Sequence, residues 1–84
     1  MMARILFFGK LADAAGGRSR DLSLAPETQT IDDLVSALSA KEAALASALN
    51  ENSVRFIVNE MIASRDAAIS DEDEIAFLPP VSGG

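Results

Sequence analysis

An α+β fold, a sheet with one main helix packed on one face, is predicted by three features of the chain. Two short runs near its ends, 3–8 and 74–78, are largely apolar and too brief for amphipathic helices, so they read as strands with little water on either side. Only between 31 and 49 do apolar residues recur at helical spacing over more than two turns. The resulting order of strand, strand, helix, strand, strand, strand leaves one helical layer to cover one sheet face.

The elements follow in order. Ala-Arg-Ile-Leu-Phe-Phe (3–8) is the first strand and Gly9 ends it. Leu11 to Ala15 can form about a turn of helix, after which Gly16-Gly17 supplies the backbone freedom to reverse direction. Residues 18–24 alternate Leu22 and Leu24 with polar neighbours, the pattern of a strand with one wet face, and Pro26 opens a connection. Thr30 with Asp33 resembles a capping box, and Ile31, Leu34, Val35 and Leu38 share one helical face, giving a helix over 31–38. Ser39 with Glu42 repeats the box, so a break is expected there before the pattern runs on through Leu45 and Leu49 to the stop at Asn50-Glu51-Asn52. Val54 to Val58 and Met61 to Ala63 flank Asn59-Glu60, which suits a two-residue hairpin because asparagine tolerates positive φ. A turn at 66–69 and the acidic loop 70–73 lead into the last strand, 74–78. That loop reads as a solvated turn, with a second reading in which its charge steers a basic partner.

Composition narrows the function. Eighty-four residues, 49% of them hydrophobic, make one small domain, drawn as residues 1–78 with 79–84 as a flexible tail. There is no cysteine and no histidine, which removes the thiolate nucleophile, the soft-metal ligands and the commonest general base. Independent catalysis is therefore not expected, and neither is a bound cofactor or metal. The net charge of −6 disfavours nucleic acid and anionic membrane and favours a protein partner with a basic surface. With no leader and no apolar run of about eighteen residues, the expected location is the cytoplasm.

The function is expected in the last six residues, Pro79-Pro80-Val81-Ser82-Gly83-Gly84. Two prolines favour a stiff, extended exit from the strand, and two glycines leave the end as thin as a polypeptide can be. At roughly 3.3 Å per residue this probe reaches about 20 Å, enough to enter a buried pocket in another protein. A frayed terminus is the competing reading.

Strand alternation also sorts the apolar residues. Ile5, Phe7, Ile75 and Phe77 take one face, and Leu6, Phe8, Ala76 and Leu78 the other. With one helical layer, part of the set Leu6, Phe8, Ile62, Ala76 and Leu78 should stay open beside the tail and serve as an interface, unless the segment 10–15 folds over it. Phe8, Ile62, Leu78, Pro79, Pro80 and Val81 are the candidate partner contacts.

The whole chain resembles the ubiquitin-like β-grasp sulfur carriers, specifically the molybdopterin synthase small subunits of the MoaD family. The resemblance is carried by Ile5-Leu6-Phe7-Phe8, by Val58-Asn59-Glu60, and above all by Asp73-Glu74-Ile75-Ala76-Phe77-Leu78-Pro79-Pro80-Val81-Ser82-Gly83-Gly84. Two positions depart from it: glycine is usual where Glu72 stands, and a second aromatic is common where Leu78 stands.

This resemblance implies a single β-grasp unit, a mixed sheet whose first and last strands are parallel neighbours, with the helix near 31–49 packed across one face. It also implies a mechanism. A terminal carboxylate is ionised at neutral pH and is a poor electrophile, so it needs activation. In the family a separate MoeB-like enzyme adenylates the terminal glycine with ATP, and a sulfur donor protein converts the acyl adenylate to a thiocarboxylate. Gly84 would be the reacting residue and Gly83 part of the thin tail. The tail would enter a MoaE-like large subunit, in a heterotetramer of two small and two large subunits, and deliver sulfur for the dithiolene of molybdopterin. Basic residues of the partner would do the acid and base work. A thiamin-type sulfur carrier and a ubiquitin-like modifier joined to lysines through Gly84 are the alternatives.

Overall fold

The computed structural model describes residues 2–51 and 53–79. Eight elements follow one another: β1 (Ala3–Phe7), α1 (Lys10–Ala15), β2 (Ser19–Leu22), α2 (Ile31–Lys41), α3 (Ala43–Leu49), β3 (Arg55–Val58), β4 (Met61–Ala63) and β5 (Glu74–Leu78). The five strands form one sheet in the order β2-β1-β5-β3-β4. β1 and β5 run parallel at its centre, with Ile5 opposite Ile75 and Phe7 opposite Phe77, while the remaining pairs are antiparallel. This is the mixed sheet and helical layer of the ubiquitin-like β-grasp.

The helices lie on a single face because that is where the apolar stripes meet. Ile5, Phe7, Ile75, Phe77 and Phe56 on the sheet bury against Leu11, Ile31, Leu34, Val35, Leu38, Leu45 and Leu49 on the helices. The Phe77 ring stacks on Phe7 and receives Phe56 edge-on, each at 5.6 Å between ring centres. α1 joins this same layer, with Leu11 fully buried, so it does not fold over the opposite face.

The first capping box forms as the sequence indicates. Asp33 N–H donates to Thr30 Oγ1 (3.1 Å), and Thr30 N–H donates back to Asp33 Oδ2 (3.2 Å). The next two amides of α2, Ile31 and Asp32, donate to the carbonyls of Ala67 and Arg65, so the turn after β4 completes the helix start. The second box does not form. Ser39 lies inside α2, and the helical run breaks three residues later at Glu42, whose backbone is extended (φ −134°, ψ 106°). Its carboxylate turns to Arg20 instead of capping the next helix.

Strand ends also differ. β1 stops at Phe7 and not Phe8, and β2 is confined to 19–22, because Gly9 and the 23–29 connection turn away before further pairing. Asn59 (φ 49°) and Glu60 (φ 69°) make the expected tight hairpin, with a glutamate accepting the left-handed second position. Among the described residues no helix is long and apolar enough to cross a membrane.

Candidate functional site

The sheet face away from the helices grades from charged to apolar along its strands. At one end Asp21, Arg4 and Glu74 stand in register, with Arg4 Nε 3.9 Å from Asp21 Oδ1. One pleat further on, the cross-sheet row is Leu6, Ala76, Ile57 and Ile62. Beyond it lie Phe8, which is 45% exposed, and half-buried Leu78, where β5 ends. Ile62 is 82% exposed on the edge strand. Among the described residues no helix lies against this row. Ala76 departs from its expected openness: it is only 7% exposed, because its short side chain sits between the larger Leu6 and Ile57 in register with it.

Beside Phe8 a shallow cleft of about 610 Å³ is lined in part by Leu6, Gly9, Asp13 and Arg18. Gly9 closes β1 at φ 55° and ψ −135°, and a Cβ at this position would come within 2.9 Å of Pro79 Cγ. Pro79, assigned by sequence to the tail, is half-buried against the fold. The candidate residues Pro80, Val81, Gly83 and Gly84 lie outside the described residues. Phe8, Leu78 and Pro79 thus lie together where β5 ends, while Ile62 lies on the same side two strands away, on the edge strand β4.

Two further clusters brace the domain, one at the Asn59 turn and one on the helical side, and sequence reading assigned neither. Asn59 binds the acidic turn through its amide, while Asp73 Oδ2 accepts from Ser70 N–H (2.7 Å) and Asp71 Oδ1 from Leu24 N–H (2.9 Å). The acidic run is therefore partly a set of backbone acceptors. On the helical side, Arg20 from β2 forks onto Glu42 at 2.6 and 3.1 Å and also donates to Ala15 O at 2.8 Å. The hydrogen bond from Arg20 holds Glu42 below its ordinary carboxylate pKa, and the same bond raises that of Arg20. The only sequence signal for this clamp is an arginine two residues before Leu22, on the inward-facing phase of β2. The backbone amide of Gln29, with lesser help from Thr30, likewise lowers the Asp33 pKa.

The chemical capacity of the described residues is that of a shaped surface. Among them no group of histidine, cysteine, aspartate or glutamate is arranged to hold a metal ion. What they offer is an apolar row, an anchored proline and a direction of exit.

Comparison with known proteins agrees with this architecture. The molybdopterin synthase sulfur carrier subunit of Escherichia coli is 31% identical over 99% of this chain and all of its own length. That of Chlamydomonas reinhardtii is 32% identical over the full length of both. Among solved structures, SAMP1 from Haloferax volcanii superposes with a TM-score of 0.82 at 28% identity, covering both chains completely. The sequence profile of the ThiS family matches residues 5–84, nearly the whole chain, and this protein therefore belongs to the ThiS family.

Proposed function

We propose that this protein is the sulfur carrier subunit of molybdopterin synthase, working through a thiocarboxylate on Gly84 in molybdenum cofactor biosynthesis. The observation that carries the reading is full-length similarity to proteins bearing that name, with the family match running through Pro79-Pro80-Val81-Ser82-Gly83-Gly84. The uncovered apolar row supports it, since it crosses β5 at Ala76, two residues before that strand ends at Leu78, and provides a docking face on the side of the sheet that Phe8 and Leu78 share.

The chemistry proceeds in two stages. A carboxylate oxygen of Gly84 attacks the α-phosphorus of ATP on an activating enzyme, and pyrophosphate leaves. A donor sulfur at the oxidation level of sulfide then attacks the acyl carbon, and AMP leaves with the C–O bonding pair. The resulting C–S bond carries the sulfur into the large subunit, where it is transferred to cyclic pyranopterin monophosphate, and water returns the carboxylate. ATP belongs to the activating enzyme; this chain supplies the carbonyl carbon and the address, and the large subunit supplies the acid and base groups.

A modifier reading draws on one specific observation, the likeness to a small archaeal modifier protein. Intact mass of the chain from sulfur-replete cells separates the two. Exchange of one oxygen for sulfur supports the carrier, and a ladder of larger protein adducts overturns it. Adding the thiocarboxylated chain to a large subunit and pyranopterin must then give a dithiolene product; failure at that step favours a different carrier pathway, such as the thiamin type.

A further inference from the structure

Where β2 gives way to the 23–29 connection, the helical side of the domain holds a hollow of about 270 Å³. Leu22 and Leu24 wall one side of it, and Leu34, Ala37 and Leu38 of α2 the other. Its volume is just under the roughly 300 Å³ at which ligand pockets begin, the size for a small molecule. None of its walls belongs to the row of Leu6, Ala76, Ile57 and Ile62, so a ligand here leaves the sheet face open.

Most polar groups around the hollow are already satisfied. Arg20 and Glu42 hold each other through the fork described above, Leu24 N–H donates to Asp71 Oδ1 and Thr28 N–H donates to Ala25 O, the last two at 2.9 Å. Two groups are not. Thr28 is the one polar residue buried among those described, at 9% exposure, and its hydroxyl has no hydrogen-bond partner among them. No buried side-chain oxygen or nitrogen in the described residues is both shut off and unpaired, so this hydroxyl opens into the hollow that Thr28 lines. Lys41, the last residue of α2, lines the same hollow and forms no ion pair among the described residues.

Both unsatisfied groups donate, and the only carboxylate lining this hollow is Glu42, which Arg20 occupies. What the site lacks is an anionic acceptor joined to an apolar body. The neighbouring hollow past Ala25 and Thr28 is bordered instead by Glu27 and Asp33, and its charge keeps an anion on the Leu22 side.

We propose that this hollow binds a small monocarboxylate with an apolar body of about six to ten carbons, the carboxylate taken by Lys41 and the Thr28 hydroxyl and the hydrocarbon by the leucines. The site stands independently of the carrier reading.

The experiment follows backbone amide shifts of the ¹⁵N-labelled full-length chain as phenylbutyrate is added, with phenylbutyramide as its uncharged counterpart and sodium chloride at matched ionic strength as control. Shifts cluster at 22–28 and 34–42 and saturate with a Kd of about 1 mM or below, while the amide binds at least about 5-fold more weakly. Lys41→Met keeps Tm within about 2 °C, because Lys41 is exposed, and raises Kd at least about 5-fold. Thr28→Val keeps the shape, loses the hydroxyl and raises Kd about 3-fold or more. Ala37→Phe, at an exposed position on α2, fills the hollow and abolishes the shifts. Lys41→Met decides the matter even where Thr28→Val fails to fold. The proposal is overturned by the absence of saturable shifts up to about 20 mM, by shifts centred on Leu6, Phe8 and Ile62 instead, or by equal affinity for acid and amide. A folded Lys41→Met chain that binds as the parent does overturns it too.

Discussion

The Asn59 side chain joins two turns: its Nδ2 donates to Asp73 Oδ1 and its Oδ1 accepts from Glu74 N–H, each at 2.9 Å. Its backbone amide adds a third bond, to Glu74 O at 2.8 Å, and its φ of 49° opens the β3–β4 hairpin. Asn59→Ala removes both side-chain bonds and leaves a side-chain-bearing residue at positive φ, costing about 2 kcal/mol. Asn59→Gly retains the backbone freedom and loses only the bonds, about 1 kcal/mol. Urea unfolding of the pair checks this, and equal losses would assign the whole effect to the hydrogen bonds.

Glu72 sits at φ 81°, in the turn where glycine is usual among the proteins this chain resembles, with its N–H donating to Met2 O at 3.1 Å. Left-handed backbone is strained for a residue with a Cβ. Glu72→Gly should raise stability by about 1 kcal/mol, whereas Glu72→Ala, which keeps the Cβ, should stay within about 0.5 kcal/mol of the parent. A destabilised glycine variant would show that the glutamate side chain matters more than the backbone.

Acid should loosen the helical layer before neutral or mildly alkaline pH does. Glu42 and Asp33 have pKa values below their ordinary 4.5 and 3.8, Glu42 through Arg20 and Asp33 through the Gln29 and Thr30 amides. Carboxylates with depressed native pKa values contribute stability above their unfolded pKa and lose it as pH falls through the native value. The window opens below about pH 4.5 and extends to more acid pH. Glu42→Gln should flatten the acid limb of a Tm-against-pH curve and leave stability nearly constant from pH 6 to 8. An acid limb unchanged in both Glu42→Gln and Asp33→Asn would place the titration elsewhere.

Two adjacent phenylalanines, Phe7 at the end of β1 and Phe8 just beyond it, should respond oppositely. Phe7 is buried, so Phe7→Ala, like Leu34→Ala under the helix, should cost roughly 2–5 kcal/mol through the cavity left behind. Phe8 is 45% exposed on the uncovered side, so Phe8→Glu should change stability by less than about 1 kcal/mol while weakening large-subunit binding at least about 10-fold. Calorimetric binding set beside denaturation tests the contrast. Equal losses on both axes for Phe8→Glu would return that ring to the core.

Deleting Gly84, or replacing Gly83 with valine, removes no contact among the described residues and should leave stability within about 0.5 kcal/mol of the parent. Thiocarboxylate formation should nevertheless be abolished. The deletion moves the reacting carbon back by roughly 3.3 Å, and valine adds a branched Cβ where a thin tail is required. Melting temperature, large-subunit binding and ATP-dependent thiolation on the three proteins provide the check. A deletion variant that is still thiolated and still supports dithiolene formation would mean that the terminus is not the reactive group.

The chain's own pattern determined the element types, the capping box at Thr30 and Asp33 and the hairpin at Asn59-Glu60, while the parallel pairing of first and last strands came with its resemblance to the β-grasp carriers. These follow from local chemistry or from two-layer packing: a hydroxyl within reach of an amide, an asparagine at positive φ, a helix with one apolar face. The alternation in β1 and β5 likewise named Phe8 and Leu78 for the side away from the helices. The destination of Glu42 could not be read this way, because an extended residue between two helices is free to pair with any cation the fold brings near, and it is Arg20, 22 positions away, that arrives. The same holds for Asn59 with Asp73, and for Gly9 beneath Pro79. Each partner lies on a different segment, and a sequence records spacing along the chain while such contacts are decided by how the helices, turns and strand ends pack together.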